Sequence, residues 1–192
     1  MQNQILLYGF GSHAQAVLDL RFAFKNQIVG YVDLVPKNND YQLDFFKVDV
    51  ISENSSRFTF LPGLSYFDNT TRDRYARIIG ELASYKLSCP IIDETAVVSK
   101  TAKIGLGTVV FPGAIIGRNV IIGDGCVINS GAIIEHDSVI GDYCHVAPSA
   151  TICGGVSIGK FSLIGAGSTI INNIVLDDWS LIKAGLAISD KM

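Results

Sequence analysis

From Ile92 onward an aliphatic residue returns at every sixth position without a break, through Ile104, Ile116, Ile134 and Ile152 to Ile188. Glycine often follows it, as in Ile116-Gly117, Ile140-Gly141 and Ile164-Gly165. The fifth position of the hexad is mostly small, as at Ala102, Ala114, Ala132, Cys144, Ala150 and Ser168. Fixed internal periods decide architecture before any local propensity does. A period of six matches neither the 3.6 of an amphipathic helix nor the 2.0 of a strand in a twisted sheet. It fits a three-sided prism in which each hexad is one short strand and one turn. Three hexads close a coil, coils stack at the inter-strand spacing of about 4.8 Å, and residues eighteen apart fall on top of one another. The aliphatic position then stacks on itself inside, with the small position beside it near a corner.

This pattern resembles the hexapeptide-repeat acyltransferases, whose prism winds left-handed against the usual right-handed crossover preference. The hand is implied by the resemblance and not by the spacing. The expectation for residues 87–192 is a left-handed parallel β-helix.

The first half of the chain reads differently. Residues 4–8 form a buried strand that runs into Gly9-Phe10-Gly11-Ser12-His13-Ala14, and a helix follows with Ala14, Val17 and Leu18 on one face. A second strand, Ile28 to Val32, ends at Asp33; after a polar, irregular stretch, Phe58 to Leu61 form a third. Tyr75, Ile78, Ile79 and Leu82 stand at i, i+3, i+4 and i+7 of a helix that is capped near Asn69 or Thr70. The order predicts a small α/β, Rossmann-like βαβ domain over residues 1–86. Gly9-x-Gly11-x-x-Ala14 satisfies a loose dinucleotide fingerprint, with Asp33 placed for a ribose hydroxyl. The domain is too short for the two halves of a full dinucleotide site, and suits a nucleoside diphosphate attached to something else. A tight strand-to-helix turn that uses glycine for steric reasons alone is the alternative.

Composition removes other classes. No apolar run reaches the roughly 18 to 20 residues of a membrane span, and the first residues lack the basic region, apolar run and cleavage site of a secretory signal. A net charge of −3 gives no field for nucleic acid. The cysteines, Cys89, Cys126, Cys144 and Cys153, show no CxxC spacing, and read as reduced thiols of a cytoplasmic protein.

Chemistry on the prism is concentrated in few residues. The histidines are His13, His136 and His145. His136 holds the outward third position of its hexad beside Asp137, the parts of a general base and the carboxylate that raises its basicity. The third positions also form columns. One reads Pro112, Ser130, Pro148, Ala166, Ala184, small and uncharged throughout; its sisters carry Lys100, Arg118 and His136, and Asp124, Asp142 and Lys160. A smooth groove on a charged prism is a place for an extended pantetheine arm, with His145 at the corner leading into it. His136 and His145 share a coil but not a face, so a shared site needs face-to-face contact in a homotrimer. Gly154, one coil beyond His136, is read as leaving space for a substrate. The histidines are poorly spaced for zinc, and no metal is expected.

Taken together, Gly-x-Gly-x-His, Asp33 and Ile134-Glu135-His136-Asp137 resemble the sialic acid O-acetyltransferase-like family, which includes bacterial N-acetyltransferases of nucleotide-linked 4-amino-4,6-dideoxy sugars. The resemblance implies acetyl-CoA as co-substrate, a UDP- or dTDP-linked amino sugar as acceptor, a homotrimer and a place in surface polysaccharide or glycan synthesis. It implies His136 as base with Asp137 tuning it, and His145, Ala166 and Ala184 along the CoA groove; Gly154, from its place in the His136 column, is counted with the cofactor-binding residues. Gly9, Gly11, Ser12, His13 and Asp33 match the nucleotide-sugar turn, Asn129 a polar group near the sugar, and Asn69 and Arg72 the loop before the last N-terminal helix. O-acetylation of a sialic acid or related sugar is the alternative activity; a zinc hydratase and a non-catalytic scaffold are more distant ones. The chain departs from the family in the long polar stretch from Leu34 to Phe67, in Phe67 where glycine is usual, and in lacking a terminal Gly-x-Pro-Ala-Lys segment.

Overall fold

The computed structural model describes residues 4–21, 27–38, 40–48, 57–63 and 72–189. The chain divides into two compact units, Met1–Ser88 and Cys89–Met192.

In the first unit, strands β1 (Gln4–Tyr8), β2 (Ile28–Asp33), β3 (Asp44–Lys47) and β4 (Phe58–Pro62) form one parallel sheet in the order β3-β2-β1-β4. The central strand is apolar on both faces, with Ile5, Leu6, Leu7 and Tyr8 all buried, as a parallel sheet covered on both sides requires. Helix α1 (Ser12–Leu18) buries Ala14, Val17 and Leu18, and helix α2 (Arg72–Leu82) buries Tyr75, Ile79 and Leu82. Strand β3 lies in the stretch expected to be irregular. Its pairing with β2 depends on Gly30, where a Cβ would come within 2.6 Å of both the Asp44 carbonyl oxygen and the Phe46 ring. Residues Asn69 and Thr70, expected to cap α2, fall outside the described residues.

The second unit is a left-handed parallel β-helix. Seventeen two-residue strands, β5 (Ile91–Ile92) to β21 (Ala187–Ile188), stack into three parallel sheets, in the orders β20-β17-β14-β11-β8-β5, β21-β18-β15-β12-β9-β6 and β19-β16-β13-β10-β7. Every register is eighteen residues, as in Ile116↔Ile134↔Ile152↔Ile170. The aliphatic ladder forms the core, and the small fifth positions lie within it at Ala114, Ala132, Ala150 and Cys144. Hydroxyls at that position are buried and bonded to the backbone of the same corner: Thr108 Oγ1 donates to the Gly123 carbonyl at 2.8 Å, and Ser138 Oγ to that of Cys153 at 2.9 Å. This satisfies the polar groups that burial would otherwise penalise.

One regularity of the turns is visible only in three dimensions. The fourth residue of every hexad from Gly107 to Gly185 has left-handed φ, between 56° and 71°. Glycine, Asn119, Asp137 and Asn173 accept this conformation at little cost. Tyr143, Phe161 and Trp179 do not, yet they occupy one corner eighteen residues apart. Their rings stack, Tyr143 on Phe161 at 5.5 Å and 7°, and Phe161 on Trp179 at 4.5 Å and 13°. Aromatic pairs contribute about 0.5 to 1.5 kcal/mol beyond burial, comparable with the roughly 1 to 2 kcal/mol that a side chain costs at left-handed φ.

Candidate active site

The third-position columns are built as stacked turns, each joined to the next by a backbone hydrogen bond. Gly131, Ser149, Gly167 and Gly185 donate to the carbonyls of Pro112, Ser130, Pro148 and Ala166 at 2.9 to 3.0 Å. The small column is therefore continuous, and Pro112, Ser130, Pro148, Ala166 and Ala184 are all exposed. The sister column that contains His136 is joined in the same way: Asp137 donates to Arg118 and Gly155 to His136, both at 2.9 Å.

His136 follows strand β12 (Ile133–Ile134) and faces solvent, as does Asp137. Its Nδ1 lies 2.9 Å from Asp137 Oδ2. The Asp137 carboxyl is held below its ordinary value of 3.8, first by a hydrogen bond from the Asn119 amide and next by the one from His136. An ionised carboxylate only accepts, so Nδ1 is the donor and Nε2 is the nitrogen left for proton transfer. Gly154 sits against the imidazole: a Cβ there would meet Cε1 at 2.7 Å and Nε2 at 2.8 Å. The space that its missing side chain leaves is taken by the His136 ring.

His145 lies elsewhere in the same coil, on β14 (His145–Val146). It is buried, 4% exposed, and its Nε2 lies 3.4 Å from Asn129 Nδ2. Asn129 Oδ1 accepts the Ser130 backbone N–H at 2.8 Å, which leaves the Asn129 amide nitrogen to donate toward His145. This pair adjoins Ser130, a member of the small column. His136 and His145 thus belong to different sheets of the prism.

The first unit holds a cavity of about 310 Å³ at the carboxyl ends of β1 and β2. Gly9, Gly11 and Asp33 line it, whereas Ser12 and His13, on α1, do not. Asp33 ties the turn together: Oδ2 accepts the Phe10 N–H at 3.2 Å, Oδ1 accepts the Leu34 N–H at 2.7 Å, and Lys37 Nζ stands 3.8 Å away. One wall is a face of α2, where Arg74, Arg77, Ile78 and Glu81 recur at i, i+3, i+4 and i+7. The apolar stripe of this helix leaves its charged residues out; the same period applied to its polar residues picks out Arg74, Arg77 and Glu81. Glu81 accepts from the Tyr8 hydroxyl at 2.8 Å, and burial, with that carboxylate beside it, raises the phenol well above its usual range. Arg72 opens α2, and Asn69 falls outside the described residues. No group of three or more His, Cys, Asp or Glu among the described residues is placed to hold a metal ion, and no described helix is long and apolar enough to cross a membrane.

Residues 119–154 and 137–172 match the family model described as bacterial transferase hexapeptide (six repeats). No curated protein matches the chain. Among solved structures, the chain is similar to the acetyltransferase domain of PglB from Neisseria gonorrhoeae, at 23% identity and TM-score 0.83, covering 100% of this chain and 93% of that one. That domain has also been solved in complex with acetyl coenzyme A. PerB from Caulobacter crescentus, in complex with CoA and GDP-perosamine, matches at 23% identity and TM-score 0.79 over 99% of this chain and 90% of its own. WeeI from Acinetobacter baumannii matches at 19% identity and TM-score 0.69 over 98% and 97%. At these identities the likeness is one of fold.

Proposed function

We propose that this chain is an acetyl-CoA-dependent N-acetyltransferase acting on the C4 amine of a nucleotide-linked 4-amino-4,6-dideoxy sugar. The observation that carries the reading is the His136–Asp137 pair, an exposed imidazole whose Nδ1 is committed to a carboxylate and whose Nε2 is not. The transferase hexapeptide match, and neighbours described as an acetyltransferase with acetyl coenzyme A and as PerB with CoA and GDP-perosamine, support the same reaction class.

In this scheme the sugar amine attacks the thioester carbonyl carbon, forming the C–N bond. His136 Nε2 takes the proton that the nitrogen sheds, and Asp137 stabilises the imidazolium. A donor at the carbonyl oxygen, from the Asn129–His145 pair or a backbone N–H, holds the oxyanion. The C–S bond then breaks, and the CoA sulfur leaves as a thiolate that is protonated to the free thiol. The small column from Pro112 to Ala184 carries the pantetheine arm. The first unit serves as a Rossmann-like nucleotide-sugar domain, its Arg74 and Arg77 suited to a diphosphate. The active form is a homotrimer, with His136 of one subunit facing the small column of its neighbour. The reaction belongs in the cytoplasm, where cysteine thiols such as Cys126 and Cys144 stay reduced.

The test is to incubate the protein and acetyl-CoA with UDP-, dTDP- and GDP-linked 4-amino sugars, and with sialic acid as a hydroxyl acceptor, while following free thiol. Turnover with an amino sugar, reduced about 10²- to 10⁴-fold by His136→Ala, is the expected result. Turnover with the hydroxyl acceptor alone would replace N- by O-acetylation, and a His136→Ala enzyme of near-normal rate would remove the base.

A further inference from the structure

We propose that Asn119 is a positioning residue for the His136–Asp137 pair, its side-chain amide orienting the Asp137 carboxylate so that one oxygen stays on His136 Nδ1. The inference rests on the reading of His136 as the base. Asn119 and Asp137 hold the same left-handed turn position in successive coils, both with φ of 59°. Asn119 Nδ2 donates to Asp137 Oδ1 at 2.9 Å, and His136 Nδ1 stands 2.9 Å from Asp137 Oδ2. Each carboxylate oxygen therefore has its own donor. Only the NH₂ end of an amide can donate to a carboxylate, so chemistry decides which way Asn119 points. One coil earlier still, Thr101 Oγ1 accepts the backbone N–H of Asn119 at 2.9 Å.

The arrangement answers a physical difficulty. His136 and Asp137 are more than half and nearly half exposed, with side-chain exposures of 59% and 48%, and an isolated exposed pair of this kind gains little and is easily lost to rotamer freedom. A second hydrogen bond on Oδ1 removes that freedom without burying the pair. It also supports the ionised carboxylate, in keeping with the lowered Asp137 value, for which Asn119 is the first cause. Catalysis by His136 needs Nδ1 protonated and Nε2 free, a tautomer that the oriented carboxylate selects.

Asparagine also suits left-handed φ for conformational reasons alone, so the test must keep the turn while removing the amide. Asn119→Gly does this, and Asp137→Gly is its counterpart. The measurements are kcat and both KM values for the two single variants and the double variant, and the ¹⁵N spectrum of neutral His136 in histidine-labelled protein, assigned with His136→Ala. Asn119→Gly is expected to lower kcat about tenfold, to leave both KM values within about twofold, and to cost nothing further in the Asp137→Gly background. The spectrum is expected to move from the Nδ1–H tautomer toward the Nε2–H form. An unchanged spectrum, or losses that multiply in the double variant, overturns the proposal; so does an unaltered kcat where His136→Ala is impaired. The spectrum needs no turnover, so this failure is distinguishable from failure of the base assignment, which His136→Ala activity reports.

Discussion

A side chain is put to use at this site as often by what its neighbours leave out as by what they supply. Gly154 does not have positive φ, so any residue is conformationally acceptable there; what it provides is room for the His136 ring. Gly154→Ala is expected to displace the imidazole and lower kcat by up to about 100-fold, while the melting temperature changes little, because the His136 ring that must give way is itself exposed. Kinetics and calorimetry on the same preparation check this, and a variant with unaltered kcat would show that the ring needs no such space. Asp33 makes a complementary point. Its carboxylate accepts the backbone N–H groups of Phe10 and Leu34 at the cavity wall, so what those residues supply fixes its place there.

At the scale of elements, the hexad sets two separate conditions, one on its interior and one on its turn. The interior condition is plain in the aliphatic and small positions. The turn condition tolerates exceptions where stacking offsets strain, as along Tyr143, Phe161 and Trp179. Phe161→Ala removes two ring contacts and keeps the left-handed strain, whereas Phe161→Gly removes the contacts and the strain together. The glycine variant is therefore expected to be the more stable of the two by about 1 kcal/mol, measured by thermal or denaturant unfolding. The opposite order would mean that Phe161 is not strained at that position.

For the whole molecule, the outer rows of the prism bear on assembly. Ile121, Val139 and Val175 lie on the outward row of one sheet and are 45%, 41% and 55% exposed. Val139→Asp places a charge in the middle of that row. In the proposed trimer it is expected to yield monomer by light scattering and to abolish turnover, since each site needs two subunits. A trimer that persists would put the interface on another sheet, and a monomer that keeps its activity would make the site intramolecular. The strand order β3-β2-β1-β4 shows how far local reading reaches. Strands β1, β2 and β4 read as largely apolar runs, whereas β3, Asp44–Lys47, is short and half-exposed and carries no such pattern.

The amino-acid sequence by itself determined the prism, because a strict period of six makes residues eighteen apart neighbours by arithmetic alone. The small column and the His136–Asp137 contact follow from that arithmetic or from adjacency in the chain. Only the tertiary structure decided what lies between coils and what each turn demands. It showed the left-handed fourth position, the Asn119 amide on Asp137, the His136 ring over Gly154 and the meeting of Asn129 with His145. These depend on side-chain direction and on φ, which a one-dimensional repeat does not encode. The cavity of the first unit belongs to the same class: its walls come from strand ends and a helix far apart in the chain, brought together by burial of the sheet.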